Sequence, residues 1–450
     1  MRTIGYFIAM KTQPWWKEPT RKQWAAFTAA WVGWVLDAFD FTIYIVVAGE
    51  MIKEFGVSPL AIGGSLTLTL LVRLAGGFIA GWMADRWGRK LPLMLSLLWF
   101  AAFDAAIFFA PTFTWVLVLR TLFGFGMGAE WTAGTSLAME SFPARGRKFA
   151  SGMLQAGWPV GFFLAAVLGY FIVPAFGWRA MFLIAAVPAL AVIPIRMFVS
   201  DEHSHVVKHE KSRGALADLA TPGVPTMIIL GSLVMALGFI VYYGLTTSYV
   251  GIHAEVGLSV ASAKLDMMWF NVGMLVGVIG AGWVANRFGV VAALVTPALL
   301  MVPALPLYVG ASPDLMWLGG LLGGLLGVGY SGVTPVLTTS LFPDHVRARA
   351  IGIVYHVGAL LAAFVPTFIP ALAKASGMKL SLTVALVVGA GLVAMSAAVL
   401  VLRGYITRPL HARVAPVERA PVPSTEIDPL AVAVVDREVA RAAERRAIYG

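Results

Sequence analysis

The chain has 450 residues, of which 59% are hydrophobic and 12% are charged, with a net charge of +10 and no cysteine. About a quarter of the residues in soluble domains are charged, so this composition argues against a soluble protein and favours membrane-spanning helices, each of ~20 mostly apolar residues. The lack of cysteine excludes disulfides, thiol catalysis and iron–sulfur ligation. In a membrane protein, a basic excess indicates cytoplasmic loops rather than nucleic-acid binding.

Twelve hydrophobic segments predict an all-α membrane protein with twelve spans. A segment at 1–23 precedes them, with Met10 as an alternative start to Met1. Spans 1 to 6 are predicted at about 24–48, 60–83, 91–110, 113–137, 150–173 and 178–199, and a polar loop follows at 200–223. Spans 7 to 12 are predicted at about 224–250, 263–287, 289–310, 313–339, 348–372 and 379–403, before a tail at 404–450 that is rich in proline and charge.

The basic residues orient this predicted topology. An even number of spans puts both termini on one side, and most of the 33 Lys and Arg fall on that side. Those predicted on the opposite side are Lys53, Arg179, Lys264, Lys374 and Lys379. Because positive loops stay in the cytoplasm, we expect a multi-pass protein of the plasma (inner) membrane with both termini cytoplasmic, surrounded by lipid, monomeric, and without a nucleic-acid partner.

Two phrases occur twice, about two hundred residues apart. "AGWMADRWG" (80–88) leads from span 2 to span 3, and "AGWVANRFG" (281–289) leads from span 8 to span 9. "SFPARGRKFASG" (141–152) follows span 4, and "LFPDHVRARAIG" (341–352) follows span 10. The two repeats predict two pseudo-symmetric six-helix bundles, at 24–199 and 224–403, which is a transporter architecture.

The first phrase resembles the loop signature of the major facilitator superfamily. The resemblance covers both halves up to about residue 403 and implies transport by alternating access. It also implies that the signature latches the halves together when the inner side is closed, through Gly81, Asp85, Arg86, Gly88 and Arg89. The second copy has Asn286 in place of Asp85, and valines in place of the following basic pair, so we expect it to keep the packing and lose the latch. Alternatively, the charges only fix the topology.

Ionisable residues at membrane depth are costly and usually face a cavity. The first half is predicted to hold six of them: Asp37, Asp40, Arg73, Asp104, Arg120 and Glu130. Asp37 and Asp40 share a helix face at ~20–24 Å from the start of span 1, and Arg120 lies at a similar depth. We therefore expect an Asp40–Arg120 pair that carries a proton and releases the Arg to an anion, or else a static ion pair. Glu130 is a second candidate proton site, or a partner of Arg73.

A closer resemblance narrows the class of substrate. "LDAFDFTIYIV" in span 1, Arg73 before a Gly pair, "GFGMGAEW" in span 4 and "LQAGWPVG" in span 5 resemble the sialate:proton symporters, a branch that includes lactate and pyruvate permeases. Aromatic-acid:proton symporters are neighbours of that branch. The resemblance implies that Asp37, Asp40, Arg120 and Glu140 are functional positions, with the three carboxyl groups in proton coupling. Asp104 is not part of this pattern, and "GWPVG" does not match the span 5 motif of drug/proton antiporters.

The second half supplies neutral candidates for a substrate wall. These are Tyr242 and Tyr243 in span 7, Asn271 in span 8, Tyr330 in span 10 and His356 in span 11. Their hydroxyl, amide and imidazole groups can bind a carboxylate or a hydroxyl beside Arg73 and Arg120. Packing alone would also account for each of them. The glycine stripe at 319–329 predicts close helix contact.

These observations favour a secondary transporter over an enzyme. The histidines of "HSHVVKH" (203–209) lie in the polar loop without a metal-ligand spacing, and no ATP-binding or catalytic motif is present, so we expect no metal and no cofactor, with a proton gradient as the energy source. The hypothesis is proton-coupled symport of a small organic acid anion such as lactate, pyruvate or sialate. The alternatives are an exporter or antiporter, an aromatic-acid symporter, and a non-transporting sensor that signals through its tail.

Overall fold

The computed structural model describes residues 15–187 and 219–407. Throughout these two ranges the regular structure is helical. Three regions singled out in the sequence lie wholly or mostly outside the described residues: most of the N-terminal segment, the polar loop up to residue 218 with its three histidines, and the tail beyond 407.

The described parts of the first six spans overlap the hydrophobic segments that predict them. Span 1 is Arg21–Val46, span 2 is Pro59–Trp87, span 3 is Lys90–Ile107 and span 4 is Phe113–Ser141. Span 5 consists of two consecutive helices, Arg147–Gln155 and Gly157–Phe176. Span 6 is helical from 179 to the end of its described part at 187. A short helix, Ala48–Phe55, links spans 1 and 2.

The second six spans follow the same order. Span 7 is Val224–Thr247, followed by the short helix Tyr249–Glu255. Span 8 is Val260–Phe288, span 9 is Val290–Tyr308 and span 12 is Leu380–Thr407. Span 11 is divided into Arg347–Ala362 and Val365–Ser376. In the described part of the chain, ten helices are long and apolar enough to cross a membrane; span 4, a 29-residue helix, is largely buried by its neighbours.

Span 10, predicted as one span at about 313–339, is interrupted at its glycines. Met316–Leu322 is α-helical, Gly323–Val328 is π-helical, Gly329–Val333 is a 3-10 helix, and the α-helix resumes at Thr334–Leu341. The glycines make the predicted close contact, since a Cβ on Gly324 would lie 1.9 Å from the Phe270 carbonyl oxygen of span 8. They also weaken the helix, and mid-helix π and 3-10 segments often mark functional hinges.

The repeated phrase has the same conformation in both halves. Gly88 and Gly289 end spans 2 and 8 with φ of 93° and 92°, a backbone region that favours glycine. A Cβ on Gly81 would lie 2.7 Å from Arg349 Cα at the start of span 11, and one on Gly282 would lie 2.8 Å from the Lys148 carbonyl oxygen at the start of span 5. A repeated contact therefore accounts for the repeated sequence: span 2 packs on span 11 in the same way as span 8 packs on span 5.

Those contacts join the two halves near one end of the bundle. We call this end the terminal face, because span 1 begins there at Arg21 and span 12 ends there at Thr407; the other end, with the short helices Ala48–Phe55 and Tyr249–Glu255, is the distal face. Positive-charge bias predicts that the terminal face is cytoplasmic. The structure shows this end with the two halves in contact.

Candidate functional site

A cavity of about 60 Å³ lies between the two halves and is lined by spans 1, 2 and 5 on one side and by spans 7, 8, 10 and 11 on the other. This volume holds a few water molecules. Aromatic side chains dominate the lining; they are Trp34, Phe41, Trp158, Phe239, Tyr242, Tyr243, Tyr330 and Tyr355. The wall is thus suited to a ligand with a flat or apolar surface.

Arg73 is the only charged side chain among the described residues that line this cavity. Its Nη2 lies 3.6 Å from Asp37 Oδ2, and both side chains are almost completely buried. Its Cζ lies 5.2 Å from the ring centre of Tyr355, within the range of a cation–π interaction. The Asp37 carboxylate compensates the charge of Arg73. The Arg73 guanidinium has a planar fork of N–H donors that is suited to pairing with a second carboxylate.

Neutral polar groups bridge the halves around the cavity. Trp158 Nε1 of span 5 donates to the Tyr242 hydroxyl of span 7 at 3.0 Å. Gln155 Nε2, also of span 5, donates to Thr334 Oγ1 of span 10 at 3.4 Å. The predicted residues Tyr242, Tyr243 and Tyr330 therefore do line the cavity, and all three lie on helices of the second half.

Arg120 lies in a different cluster, and its ion-pair partner is not the predicted one. Its Nη1 is 3.3 Å from Asp104 Oδ1, and it lies 3.5 Å from the backbone oxygen of Asp40 rather than from the carboxylate. The Tyr44 and Phe123 rings pack on the guanidinium at 4.7 and 4.1 Å. The depth predicted for Arg120 was correct. Asp104 takes the ion pair because span 3 packs beside span 4.

The carboxylate of Asp40 is buried with neither oxygen hydrogen-bonded in the described structure. Together, Asp40, Asp104 and Arg120 place two carboxyl groups around one guanidinium with no exposure to solvent. A buried charge without a partner is expensive, so this cluster favours an arrangement in which one carboxyl group holds a proton. Glu130 accepts a hydrogen bond from Ser96 Oγ at 3.2 Å in a neighbouring buried position.

The terminal face carries an ion-pair cluster that joins the halves. Arg89 Nε and Nη2 each lie 2.9 Å from a carboxylate oxygen of Glu140 at the end of span 4. Arg347 Nη1, at the start of span 11, lies 3.5 Å from the same carboxylate. Arg86 is exposed against Trp82 and Trp87 of its own helix. The Asp85 side chain lies outside those described. Glu140 is thus placed at the closed end, away from the cavity.

Besides Arg120, two predicted binding residues are not among the described residues that line the cavity. Asn271 donates to the Met267 carbonyl oxygen of its own helix at 2.9 Å. His356 is fully buried, with Nε2 at 3.0 Å from the Gly128 carbonyl oxygen of span 4 and its ring packed where a Cβ on Gly77 would lie. Both side chains make helix contacts in this structure.

Four of the lining residues that sequence reasoning missed are Trp34, Gln155, Trp158 and Tyr355. Large aromatics are common wherever helices pack, so their number alone gives no signal. Two of the four, Gln155 and Trp158, lie within the "LQAGWPVG" segment that resembles the sialate:proton symporters. That segment was a usable indication of a site in span 5.

The comparison with protein families agrees with this architecture. Residues 30–256 match the family model described as Major Facilitator Superfamily. The chain belongs to the major facilitator superfamily. It is 29% identical to the cis,cis-muconate transport protein of Acinetobacter baylyi, over 80% of this chain and 90% of the relative. It is 26% identical to the sialic acid transporter NanX of Escherichia coli, over 87% of this chain and 96% of the relative.

The solved structures agree on the fold of this facilitator. The proton:xylose symporter XylE bound to 6-bromo-6-deoxy-D-glucose superposes with a TM-score of 0.71 at 17% identity, over 85% of this chain and 96% of the other. The likeness confirms the predicted all-α, twelve-helix membrane fold. The protein is therefore a multi-pass membrane transporter, as the two six-helix repeats predicted.

Proposed function

We propose that the protein is a proton-coupled symporter that takes up a small organic acid anion across the plasma membrane, with both termini cytoplasmic. The observation that carries the proposal is Arg73, a buried cation on the wall of an aromatic cavity between the halves. The two relatives described above are transport proteins for cis,cis-muconate and sialic acid, both of which carry a carboxylate.

The anion binds with its carboxylate at Arg73 and its body between the aromatic walls. Arg73 exchanges part of its interaction with Asp37 for the substrate, since a guanidinium can pair with a carboxylate through two parallel hydrogen bonds. Tyr242, Tyr243 and Tyr330 supply further hydroxyl groups. A lining so rich in aromatic rings favours a flat, conjugated acid over the compact lactate or pyruvate, and this supports the aromatic-acid reading within the same class.

The proton is carried by the buried carboxyl groups of span 1. Asp37 contacts the lining cation directly, and Asp40 lies one turn further along the same helix, beside the Arg120–Asp104 pair. Proton binding at this face changes the charge available to the anion site. Alternating access follows from opening of the Arg89–Glu140–Arg347 cluster at the terminal face, which assigns Glu140 to the gate.

Proton flux in reconstituted vesicles tests the proposal. No gradient is imposed, and cis,cis-muconate, an aromatic acid, sialate, lactate and pyruvate are added one at a time to vesicles with a pH indicator outside. Alkalinisation outside on addition of one acid is the expected result and also identifies the substrate. Acidification would indicate an antiporter. No response to any acid, in vesicles that hold an imposed pH gradient, would refute the organic-acid assignment.

A further inference from the structure

The α-helix that resumes span 10 after the 3-10 segment begins at Thr334 without a cap of its own. Its N-cap position is Val333, whose side chain makes no capping hydrogen bond. The first amides of a helix have no intrahelical acceptor, and Ser, Thr, Asp or Asn at the N-cap commonly accepts from the third helical residue. Here that third residue is Val336.

Ser151 of span 5 supplies the missing hydroxyl from the other half of the protein. The Val336 amide donates to Ser151 Oγ at 3.2 Å, and Ser151 Oγ donates to the Gly332 carbonyl oxygen at 2.7 Å. Ser151 is completely buried. One hydroxyl group therefore uses both its donor and an acceptor lone pair on the interrupted backbone of span 10.

The surrounding glycines hold the two segments close together. A Cβ on Gly152 would lie 2.4 Å from the Val278 carbonyl oxygen of span 8, and one on Gly332 would lie 2.1 Å from the same oxygen. One turn along span 5, Gln155 reaches Thr334 at 3.4 Å. The interrupted part of span 10 is thus contacted by two polar side chains of span 5, Ser151 and Gln155, which lie one helical turn apart.

The positions related to Ser151 and span 10 by the repeat do not form the same contact. The counterpart of Ser151 in the aligned phrases is Ile351, which has no hydroxyl group. The counterpart of span 10 is span 4, a continuous helix from Phe113 to Ser141, in which Ser136 donates to the Thr132 carbonyl oxygen of the same helix at 2.9 Å. Of these two counterparts, span 10 is the one whose helix is interrupted.

We propose that Ser151 is a positioning residue for transport: it caps span 10 across the interface of the two halves when the terminal face is closed, and so fixes Tyr330 in the cavity wall. Tyr330 lies within the 3-10 segment, four residues before the capped helix begins at Thr334. When the terminal face opens, span 5 moves the Ser151 hydroxyl group away. The Val336 amide and the Gly332 carbonyl of span 10 then need other hydrogen-bond partners. Opening of the gate is thereby coupled to the shape of the substrate wall.

The first test measures the conformational equilibrium and does not depend on the substrate. The chain has no cysteine, so W87C and F288C place two spin labels at the exposed, repeat-related ends of spans 2 and 8 on the terminal face. Loss of a helix cap shifts an equilibrium by about 5- to 30-fold. We expect Ser151→Ala to raise the ratio of long to short label distances by that factor, and Ser151→Thr to keep the original distribution.

Ser136→Ala is the matched control, because it removes a buried hydroxyl of the first half that bonds only within its own helix among the contacts given above. We expect it to leave the label distances unchanged. An unchanged distribution in Ser151→Ala, or equal shifts in Ser151→Ala and Ser136→Ala, would overturn the proposal.

The second test uses transport and rests on the proposed function. The apparent affinity for a substrate falls with the fraction of protein in the competent state. For the acid identified by proton flux, Ser151→Ala should raise KM on the distal side by up to the factor seen in the distances, with Ser151→Thr restoring it. If the label distances shift in Ser151→Ala but no acid is transported, the organic-acid function is refuted and the capping proposal stands. If the distances shift in Ser151→Ala but its KM stays normal, the coupling to Tyr330 is refuted.

Discussion

Removing the charge of Arg73 should abolish tight anion binding while leaving the fold intact, provided that its partner is neutralised with it. Arg73→Gln alone leaves Asp37 buried without its cation, and breaking a buried pair costs about 3–5 kcal/mol. The double variant Arg73→Gln/Asp37→Asn removes both charges at once. Because it leaves no uncompensated buried charge, the double variant should be destabilised less than Arg73→Gln alone, and it therefore reports the effect on binding more cleanly.

The size of the expected loss follows from the contact that disappears. A hydrogen bond to a charged group contributes about 1.5–3 kcal/mol, and each 1.4 kcal/mol corresponds to a factor of ten in affinity. The double variant should therefore bind the acid about 10- to 150-fold more weakly. Equilibrium binding of the radiolabelled acid to detergent-solubilised protein measures this directly, with thermal unfolding recorded in parallel.

The second buried ion pair provides a matched control. Arg120→Gln/Asp104→Asn makes the same chemical change at side chains that are outside the cavity lining described here. It should retain the affinity for the acid within a few-fold. If instead Arg120 bound the anion, as the resemblance to the sialate:proton symporters implies, this control would lose affinity and the Arg73 double variant would keep it. That result would refute the assignment of the anion site.

Three further predictions follow from the ionisable clusters. Asp40→Asn should abolish accumulation driven by a pH gradient while sparing acid exchange between vesicle compartments, because the buried amide cannot exchange a proton; this is measured by uptake and counterflow of labelled acid. Arg347→Gln should open the terminal face and speed labelling of single cysteines there several-fold, because Glu140 then keeps contact only within the first half. Glu54→Gln should lower the thermal stability at neutral pH, since hydrogen bonds from Arg179 hold the Glu54 pKa below its usual 4.5. The difference in stability between the variant and the original chain should vanish as the pH falls below the pKa of Glu54 in the folded protein.

Each of the three has a result that would contradict it. Equal loss of accumulation and exchange in Asp40→Asn would assign Asp40 to folding or binding. Unchanged labelling in Arg347→Gln would mean that the ion pair does not hold the gate. The sign for Glu54 is fixed by linkage: a lowered pKa stabilises the folded state above the unfolded pKa and loses that contribution in acid. A difference between Glu54→Gln and the original chain that grew in acid would refute it.

Hydropathy and the repeats were sufficient to predict the twelve-helix fold. Spans 2, 8 and 12 begin and end within a few residues of the predicted positions, because ~20 apolar residues between charged or glycine-rich turns leave few alternatives in a membrane. The π-helical and 3-10 segments of span 10 could not be predicted. Its glycines are equally compatible with a straight helix in close contact, and the hydrogen bonds from Ser151 of span 5 to the interrupted backbone are contacts between distant parts of the sequence.

The sequence indicated which types of residue form the site, but not which of them contact one another. The intramembrane charges were recognised from their cost at membrane depth, and Tyr242 and Tyr330 were placed on the cavity side. Depth along a helix does not give its rotation, so Arg120 could be matched in height with Asp40 while its side chain met Asp104. For the same reason Glu140 could not be separated from the cavity residues until its contact with Arg89 and Arg347 was seen.

The most direct test of the account is an experimental structure of the protein with its acid bound. The carboxylate should lie within hydrogen-bonding distance of the Arg73 guanidinium, about 2.7–3.2 Å, with the body of the acid between Trp158 and Tyr355. A carboxylate bound at Arg120, or an acid located outside the cavity between the halves, would contradict the central claim.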